Sequence, residues 1–318
     1  MSPWIPLFLA LQITDVTPAS VPTSGYSNLT VDTSRSSCIS FSCPVSVTLD
    51  GQAVPATMSY SRITIPVIPP HERGAVELAV NAGGDTTTYP LHYTTDDDFE
   101  RVLIPIVTHR GVAGAYGALW FARSSAANGG DAPADLLLAQ DAGTRPIAPL
   151  SVHLPPHSAS YFDALNAPSG GGAIARIGRW VASDVTFTER VFDDARSPLP
   201  AGVSVPVVRE EAFRPRLAIA DVLAGAQERT QLRIYSMADH PVTVTIDVRP
   251  MPFTQANASQ LTITVPAAQR EVAGSASLDL STSIDSSWRC ELASDEPIWA
   301  MASVTNNDTN EVSIVWPQ

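Results

Sequence analysis

Six histidines, three cysteines and 32 acidic residues are the side chains of this sequence that could carry acid–base, metal or nucleophilic chemistry. His153 and His157 are spaced like two ligands on one helical turn, but Pro155-Pro156 between them forbids that helix. No adjacent glutamate completes a metal-hydrolase motif, and both read as turn histidines in contact with water. His71, His92, His109 and His240 have no local partners in the sequence. A serine nucleophile would sit in G-x-S-x-G between a strand and a helix; Gly274-Ser275-Ala276-Ser277 lacks the second glycine. Ser169-Gly170-Gly171-Gly172-Ala173-Ile174-Ala175 loosely spells a dinucleotide loop, yet Asn166-Ala167-Pro168 stands where that fold needs a buried strand, so it reads as a flexible loop. The carboxylate pairs Asp193-Asp194, Glu210-Glu211 and Asp295-Glu296 could hydrolyse a glycoside only by meeting across a cleft. In polar, turn-like surroundings they read as solvated charge. No catalytic residue is assigned, and the chain reads as a non-enzyme.

Binding chemistry has three candidates. Asp96, Asp97, Asp98 and Glu100 sit together in a polar stretch and could offer calcium several of its six to eight oxygen ligands; the competing reading is a solvated linker. Trp120 and Phe121 are neighbours on an apolar strand, so they point to opposite faces and one of them faces solvent or a covering loop. Trp120 and Trp180 are thus candidates for a ligand platform, with core packing as the alternative. Cys38 and Cys43 lie in a serine-rich stretch with no second pair to complete a zinc site. A disulfide closing that small loop is expected, which requires an oxidising compartment. Cys290 shares a strand face with Trp288 and Leu292 and reads as a buried, inert thiol.

The elements that must position these residues are strands. Val45-Ser46-Val47-Thr48-Leu49, Val242-Thr243-Val244-Thr245-Ile246 and Leu261-Thr262-Ile263-Thr264-Val265 alternate apolar and polar residues, as half-buried antiparallel strands do. Asp50-Gly51 marks a hairpin. The 27 prolines disfavour long helices and suit short strands joined by turns. Asp135-Leu136-Leu137-Leu138-Ala139-Gln140 is the best helical segment, and it reads equally well as a strand. The fold class is all-β.

Charge and hydropathy narrow the partners. The formal net charge is −13, and all 19 basic residues are scattered arginines. Nucleic acid is therefore an unsuitable partner, because phosphate neutralisation needs clustered cations. The apolar run at residues 4–11 is too short to span a bilayer. It reads as the core of an export signal without its positive start, or as a first strand. A secreted or cell-surface location follows from the first reading.

The residues from Ile13 to Tyr93 resemble the IPT/TIG immunoglobulin-like domain. Ile13, Val16 and Pro18 match its opening, and Val47, Gly51 and Val54 its middle. Ile63, Ile65, Pro69, Pro70, Gly74 and Val76, with Leu78 and Val80, match its closing strands. The family's usual Gly-Gly-Thr is replaced by Thr23-Ser24-Gly25-Tyr26. The resemblance implies an immunoglobulin-like sandwich serving as spacer or binding module, with no catalytic residue. The remainder is similar to a group of secreted bacterial β-sandwich proteins in Ile104-Pro105 with Gly114-Ala115-Tyr116-Gly117-Ala118-Leu119-Trp120, in Val205-Pro206-Val207-Val208-Arg209-Glu210-Glu211 and in Ile298-Trp299-Ala300-Met301-Ala302-Ser303-Val304-Thr305-Asn306-Asn307.

An internal repeat is also expected. Val102-Leu103-Ile104-Pro105-Ile106-Val107 resembles Val203-Ser204-Val205-Pro206-Val207-Val208. Ala118-Leu119-Trp120-Phe121-Ala122 resembles Gln231-Leu232-Arg233-Ile234-Tyr235, and Ser151-Val152-His153-Leu154-Pro155 resembles Thr262-Ile263-Thr264-Val265-Pro266. The expected organisation is a candidate signal remnant at 1–12 and tandem immunoglobulin-like or β-sandwich domains at 13–95, 96–200 and 201–318; one larger sandwich after 96 is the alternative. The functional expectation is a non-enzymatic extracellular or cell-surface adhesion, scaffold or protein-binding module. Carbohydrate binding is the first alternative, and a hydrolase whose residues meet only in three dimensions is the second. Partners would be a protein or glycan on a cell surface or matrix, with no nucleic acid, no membrane span and no cofactor beyond the calcium considered above.

Overall fold

The computed structural model describes residues 11–26, 28–34, 45–82, 84–108, 111–140, 148–161, 171–193, 202–251, 259–269, 272–280 and 286–317. The disulfide expected at Cys38 and Cys43, Asp194 and the apolar run up to residue 10 lie outside them. Among the described residues every long element is a strand, so the chain is all-β. The segment weighed as a helix is the strand Ala134–Gln140.

The first sandwich contains β1 (Ile13–Thr17), β2 (Ser20–Pro22), β3 (Leu29–Thr33), β4 (Val45–Leu49), β5 (Gln52–Val54), β6 (Thr57–Ser59), β7 (Arg62–Ile65), β8 (Gly74–Ala82) and β9 (Asp85–Thr94). One sheet runs β1-β3-β7-β6 and the other β2-β9-β8-β4-β5, with β2 parallel to β9. That division of strands is the immunoglobulin arrangement. Alternation explains the core between the sheets: Val47, Ile63, Ile65, Val76, Leu78 and Val80 all turn inward. Asp50 and Gly51 both take positive φ (46° and 76°), the turn that joins β4 to β5.

The second sandwich contains β10 (Phe99–Ile104), β11 (Val112–Ala113), β12 (Leu119–Asn128), β13 (Ala134–Gln140), β14 (Ala148–Leu154), β15 (Ser158–Tyr161), β16 (Ala173–Gly178), β17 (Val185–Asp193), β18 (Val203–Val205) and β19 (Val208–Arg209). The third contains β20 (Arg214–Ala224), β21 (Glu228–Ser236), β22 (Val242–Met251), β23 (Ser259–Val265), β24 (Gly274–Asp279), β25 (Ser286–Asn306) and β26 (Val312–Val315).

These two sandwiches share one pairing scheme. The second is built from β14-β13-β16-β10 and β15-β12-β17-β18. The third is built from β23-β22-β25-β20 and β24-β21-β25-β26. The 21-residue β25 does the work of both β16 and β17: its first half pairs with β20 and β22, its second with β21 and β26. In the second sandwich the same path is broken by a short 3-10 turn at Ala182–Asp184.

Two of the three sequence resemblances fall on matching strands, β12 with β21 and β14 with β23. The third does not. Val203–Val205 pairs with β17, and Val208-Arg209 pairs with Val102 and Leu103 themselves. The two similar runs therefore lie in one sandwich, and position 201 is not a break between sheets. The shared valine–proline pattern reports a buried strand end, where proline stops the ladder, and not a place in the topology.

The interfaces between sandwiches are packed. Leu137 and Phe99 join the first core, and Asp135 accepts a hydrogen bond from the Ala19 amide (2.8 Å). A fourth apolar cluster spans the second and third sandwiches, with Leu103, Ile174, Val205, Tyr235, Trp299 and Met301 among its buried members. The Ser169–Ala175 stretch, expected as a flexible loop, includes part of this seam: the Gly172 carbonyl accepts from the Ala273 amide (3.1 Å), and Ala173 begins β16.

Candidate functional site

The outer face of the third sandwich changes character along β21. Thr230, Leu232 and Ile234 turn into the sandwich, and Leu232 and Ile234 belong to its core. Arg229, Gln231, Arg233 and Tyr235 turn outward, toward the second sandwich. Directly paired residues share a face. Gln231 is therefore flanked by Asp279 of β24 and Ser303 of β25, and Arg229 by Thr305. Beyond them Val312 pairs with Thr305, and Ile314 with Ser303. At the Tyr235 end this face is apolar and seals against Leu103 and Val205; at the Arg229 end it is polar and the two sandwiches part.

The gap is a cavity of about 310 Å³, within the usual range for small-molecule sites. Its opposite wall is Ile106, Thr108, Val112, Trp120 and Val191 of the second sandwich. Trp120 is half-buried and shares a face with the buried Ala122 and Ser124, so its ring is turned to the seam. The loop before it lies on the indole: a Cβ at Gly114 would fall 2.3 Å from Trp120 Nε1, so only glycine fits there. Thr108 is 5 % exposed, and its Oγ1 has no hydrogen-bond partner among the described residues. That oxygen has almost no accessible surface, so Thr108 lines the cavity through its other atoms.

Hydrogen bonds fix the polar side of the cavity. Arg229 donates to the side-chain oxygens of Asn307 and Asn310 (both 3.1 Å). Asn310 donates in turn to Asp193 (3.3 Å), whose other oxygen accepts the Leu119 amide (2.8 Å). Arg233 hydrogen-bonds the Tyr235 side chain. Behind Ile106 lies Glu189, 1 % exposed, one oxygen accepting the Ile106 amide at 3.2 Å. Burial drives its carboxyl well above the ordinary range, opposed by the Ile106 hydrogen bond and the charge of Arg233. Burial likewise pushes the Tyr235 hydroxyl up to about 12.

The candidate residues read from sequence are scattered by the fold. Trp120 lines the cavity. Trp180 is 59 % exposed and packs at a tilt against Phe99, ring centroids 6.1 Å apart, at the junction of the first two sandwiches. Phe121, on the face opposite Trp120, stacks on Phe192 at 5.9 Å. The acidic stretch does not form a cation cage. Asp96 accepts from Ser24 (2.9 Å) and Arg176 (3.1 Å). Asp98 pairs with Thr95 (2.6 Å) and Arg73 (3.4 Å), and the Thr95 hydroxyl holds its carboxyl low. Both oxygens of Glu100 face Arg209 (2.8 Å). Arginines thus divide these carboxylates, and no group of three or more metal-ligating side chains gathers among the described residues. The stretch straps two sandwiches together through Asp96, Asp98 and Glu100, while Asp96 and Asp97 remain exposed to solvent.

Both histidines are exposed to water, as expected, and each also pairs with an aspartate: His153, which lies on β14 and not in a turn, with Asp135 (2.7 Å), and His157 with Asp131 (2.9 Å). Glu210, Glu211 and Glu296 line a second, open groove of about 650 Å³. Glu210 is held there by Arg101 (3.1 Å) and Arg179, and Glu296 faces His240 (3.6 Å). Cys290 is fully buried, and burial pushes its thiol up to about 11.

Sequence reasoning missed Arg229, Gln231, Arg233, Asp279 and Thr108. The signal available was a strand with arginine and glutamine on one face and aliphatic residues on the other, which in sequence means only a solvated face.

No family model matches the chain, and no curated protein matches it. Among solved structures the chain is similar to SGBP-B from a complex xyloglucan utilization locus in Bacteroides uniformis. The identity is 12 % and the TM-score 0.23, over 98 % of this chain and 72 % of that one. A likeness at that level assigns neither fold nor ligand. No helix among the described residues is long and apolar enough to cross a membrane.

Proposed function

We propose that this chain is a non-enzymatic extracellular or cell-surface binding protein of three tandem β-sandwiches, and that its ligand is a carbohydrate held in the cavity between the second and third. The carrying observation is the composition of that cavity. One wall offers the Trp120 ring among apolar neighbours; the other offers rows of fixed polar groups. Saccharides present both features in reverse: apolar C–H faces that stack on an indole, and hydroxyls that need converging donors and acceptors. Asp279 is the single carboxylate lining it among the described residues, whereas glycoside hydrolysis ordinarily uses two, which supports binding over turnover.

The test is a glycan array probed with the whole chain, followed by calorimetry on the hits. Trp120→Ala and Gln231→Ala should each weaken binding by about tenfold or more, the range of a central interface residue, with unchanged circular dichroism. An array with no hit, or hits indifferent to both substitutions, sinks the reading. The alternative of a protein partner draws on one observation, the exposed Trp180 beside Phe99. A pull-down from cell surfaces that depends on Trp180 and not on Trp120 would favour it.

A further inference from the structure

We infer that the outer face of β12, β17 and β18 in the second sandwich is a further binding surface, separate from the cavity, and that its occupant is a stretch of anionic polysaccharide. This face is the reverse of the one at the seam. Trp120 and Val191 turn to the cavity, so their neighbours along each strand turn away from it.

The carrying observation is a pair of arginines. Among the described residues the fold sets two arginines directly opposite each other on neighbouring strands three times: Arg101 with Arg176, Arg249 with Arg289, and Arg123 with Arg190. Like charges so placed repel. Two of these pairs are neutralised from within the chain. Arg101 meets Glu210 (3.1 Å) and Arg176 meets Asp96 (3.1 Å). Arg249 meets Asp247 (3.3 Å) and Arg289 meets Glu291 (2.9 Å). Arg123 and Arg190 are exposed and meet no carboxylate among the described residues. Arg123 lies over the Phe192 ring, 5.6 Å from its centroid, a contact that leaves its charge in place. Two uncompensated cations side by side in a chain of net charge −13 are a local feature, complementary to an anion from outside.

The surroundings of the pair suit a sugar polymer. On one side Phe121 stacks on Phe192 (5.9 Å); on the other the Ser125 and Thr188 hydroxyls are hydrogen-bonded (2.6 Å). Beyond Ser125 stands Tyr161, 68 % exposed, and beside Arg190 the exposed Ser204. From β15 to β18 the face is about 14 Å wide, three strand spacings. A run of sugar rings can lie across it with C–H faces on aromatic rings, hydroxyls on hydroxyls, and carboxylates or sulfates on the arginines.

The test is calorimetry of the whole chain at about 0.1 M ionic strength. The probes are short fragments of polygalacturonate and of dextran sulfate, beside neutral dextran and poly-glutamate. At least one anionic glycan is expected to bind, and neutral dextran is not. Arg123→Gln and Arg190→Gln should each weaken that binding about fivefold, the upper range for an exposed ion pair, and added salt should weaken it further. Arg190→Glu should abolish it while the thermal midpoint holds or rises, because an opposite-charge pair with Arg123 replaces a repulsive one. Trp120→Ala should leave it unchanged. Binding of neither anionic glycan overturns the inference, as does binding indifferent to all three arginine substitutions. Loss of binding in Trp120→Ala would move the ligand to the cavity and overturn it too. Poly-glutamate bound as tightly as the better glycan would overturn the saccharide as occupant.

Discussion

The Tyr235 hydroxyl donates a 2.6 Å hydrogen bond to the carbonyl oxygen of Pro105, from the third sandwich into the second, at a point where Tyr235 is 1 % exposed. Its ring lies 6.0 Å from that of Trp299 within the apolar cluster shared by both sandwiches. Tyr235→Phe keeps the ring and removes the hydroxyl, leaving a carbonyl short of its partner. The expected cost is about 1–3 kcal/mol, seen as a lower urea midpoint with an unchanged slope. A midpoint equal to that of the unsubstituted chain would show that this bond contributes nothing to the seam.

Arg209 binds both oxygens of Glu100 and donates to the carbonyls of Ala182 and Val185 (2.9 and 2.8 Å). Arg209→Ala strands a carboxylate that is 12 % exposed at its side chain. The loss should be about 3 kcal/mol, the lower end of the range for a broken buried pair, because Arg209 itself is partly open to water. Replacing both residues, Glu100→Gln with Arg209→Met, should cost less than Arg209→Ala alone, and a thermal-unfolding double-mutant cycle measures the difference.

Glu189 gives the fold a pH dependence with a definite sign. Its folded carboxyl titrates well above the unfolded value near 4.5. The native state therefore suffers no penalty from this group below that value, and loses stability as pH rises from there through the folded pKa. Glu189→Gln abolishes the titration. The stability of the variant relative to the parent should increase between pH 4 and pH 8 in urea titrations; a constant difference contradicts the assignment.

Cys290 combines full burial with a thiol pushed up to about 11, so it presents almost no thiolate at pH 8. Alkylation followed by peptide mapping should leave the Cys290 peptide unlabelled in the native protein and label it fully in denaturant. Rapid labelling under native conditions would mean that β20 and β25 part readily.

The strands and their faces were legible in the sequence because alternation with period two needs only local information. The Asp50-Gly51 turn, the inward Val47, Ile63, Leu78 and Val80, and the buried Cys290 all follow from residues within a few positions of one another. Trp120 was legible for the same reason, as an aromatic residue whose neighbour must take the other face. What surrounds it was not. Arg229 and Trp120 are brought to one cavity by the packing of Tyr235, Trp299 and Met301 on Leu103 and Val205, contacts whose partners lie far apart along the chain. The same limit misplaced Val203–Val205, since a valine–proline run states that a strand is buried without stating beside which other strand it lies. It also turned the acidic stretch at Asp96–Asp98 into a possible calcium site, because the arginines that occupy its carboxylates come from Arg73 in the first sandwich and Arg176 in the second. Period and propensity are properties of one segment, and they determined an all-β chain; which segment faces which depends on burying apolar surface between distant strands, and only the tertiary structure decided that.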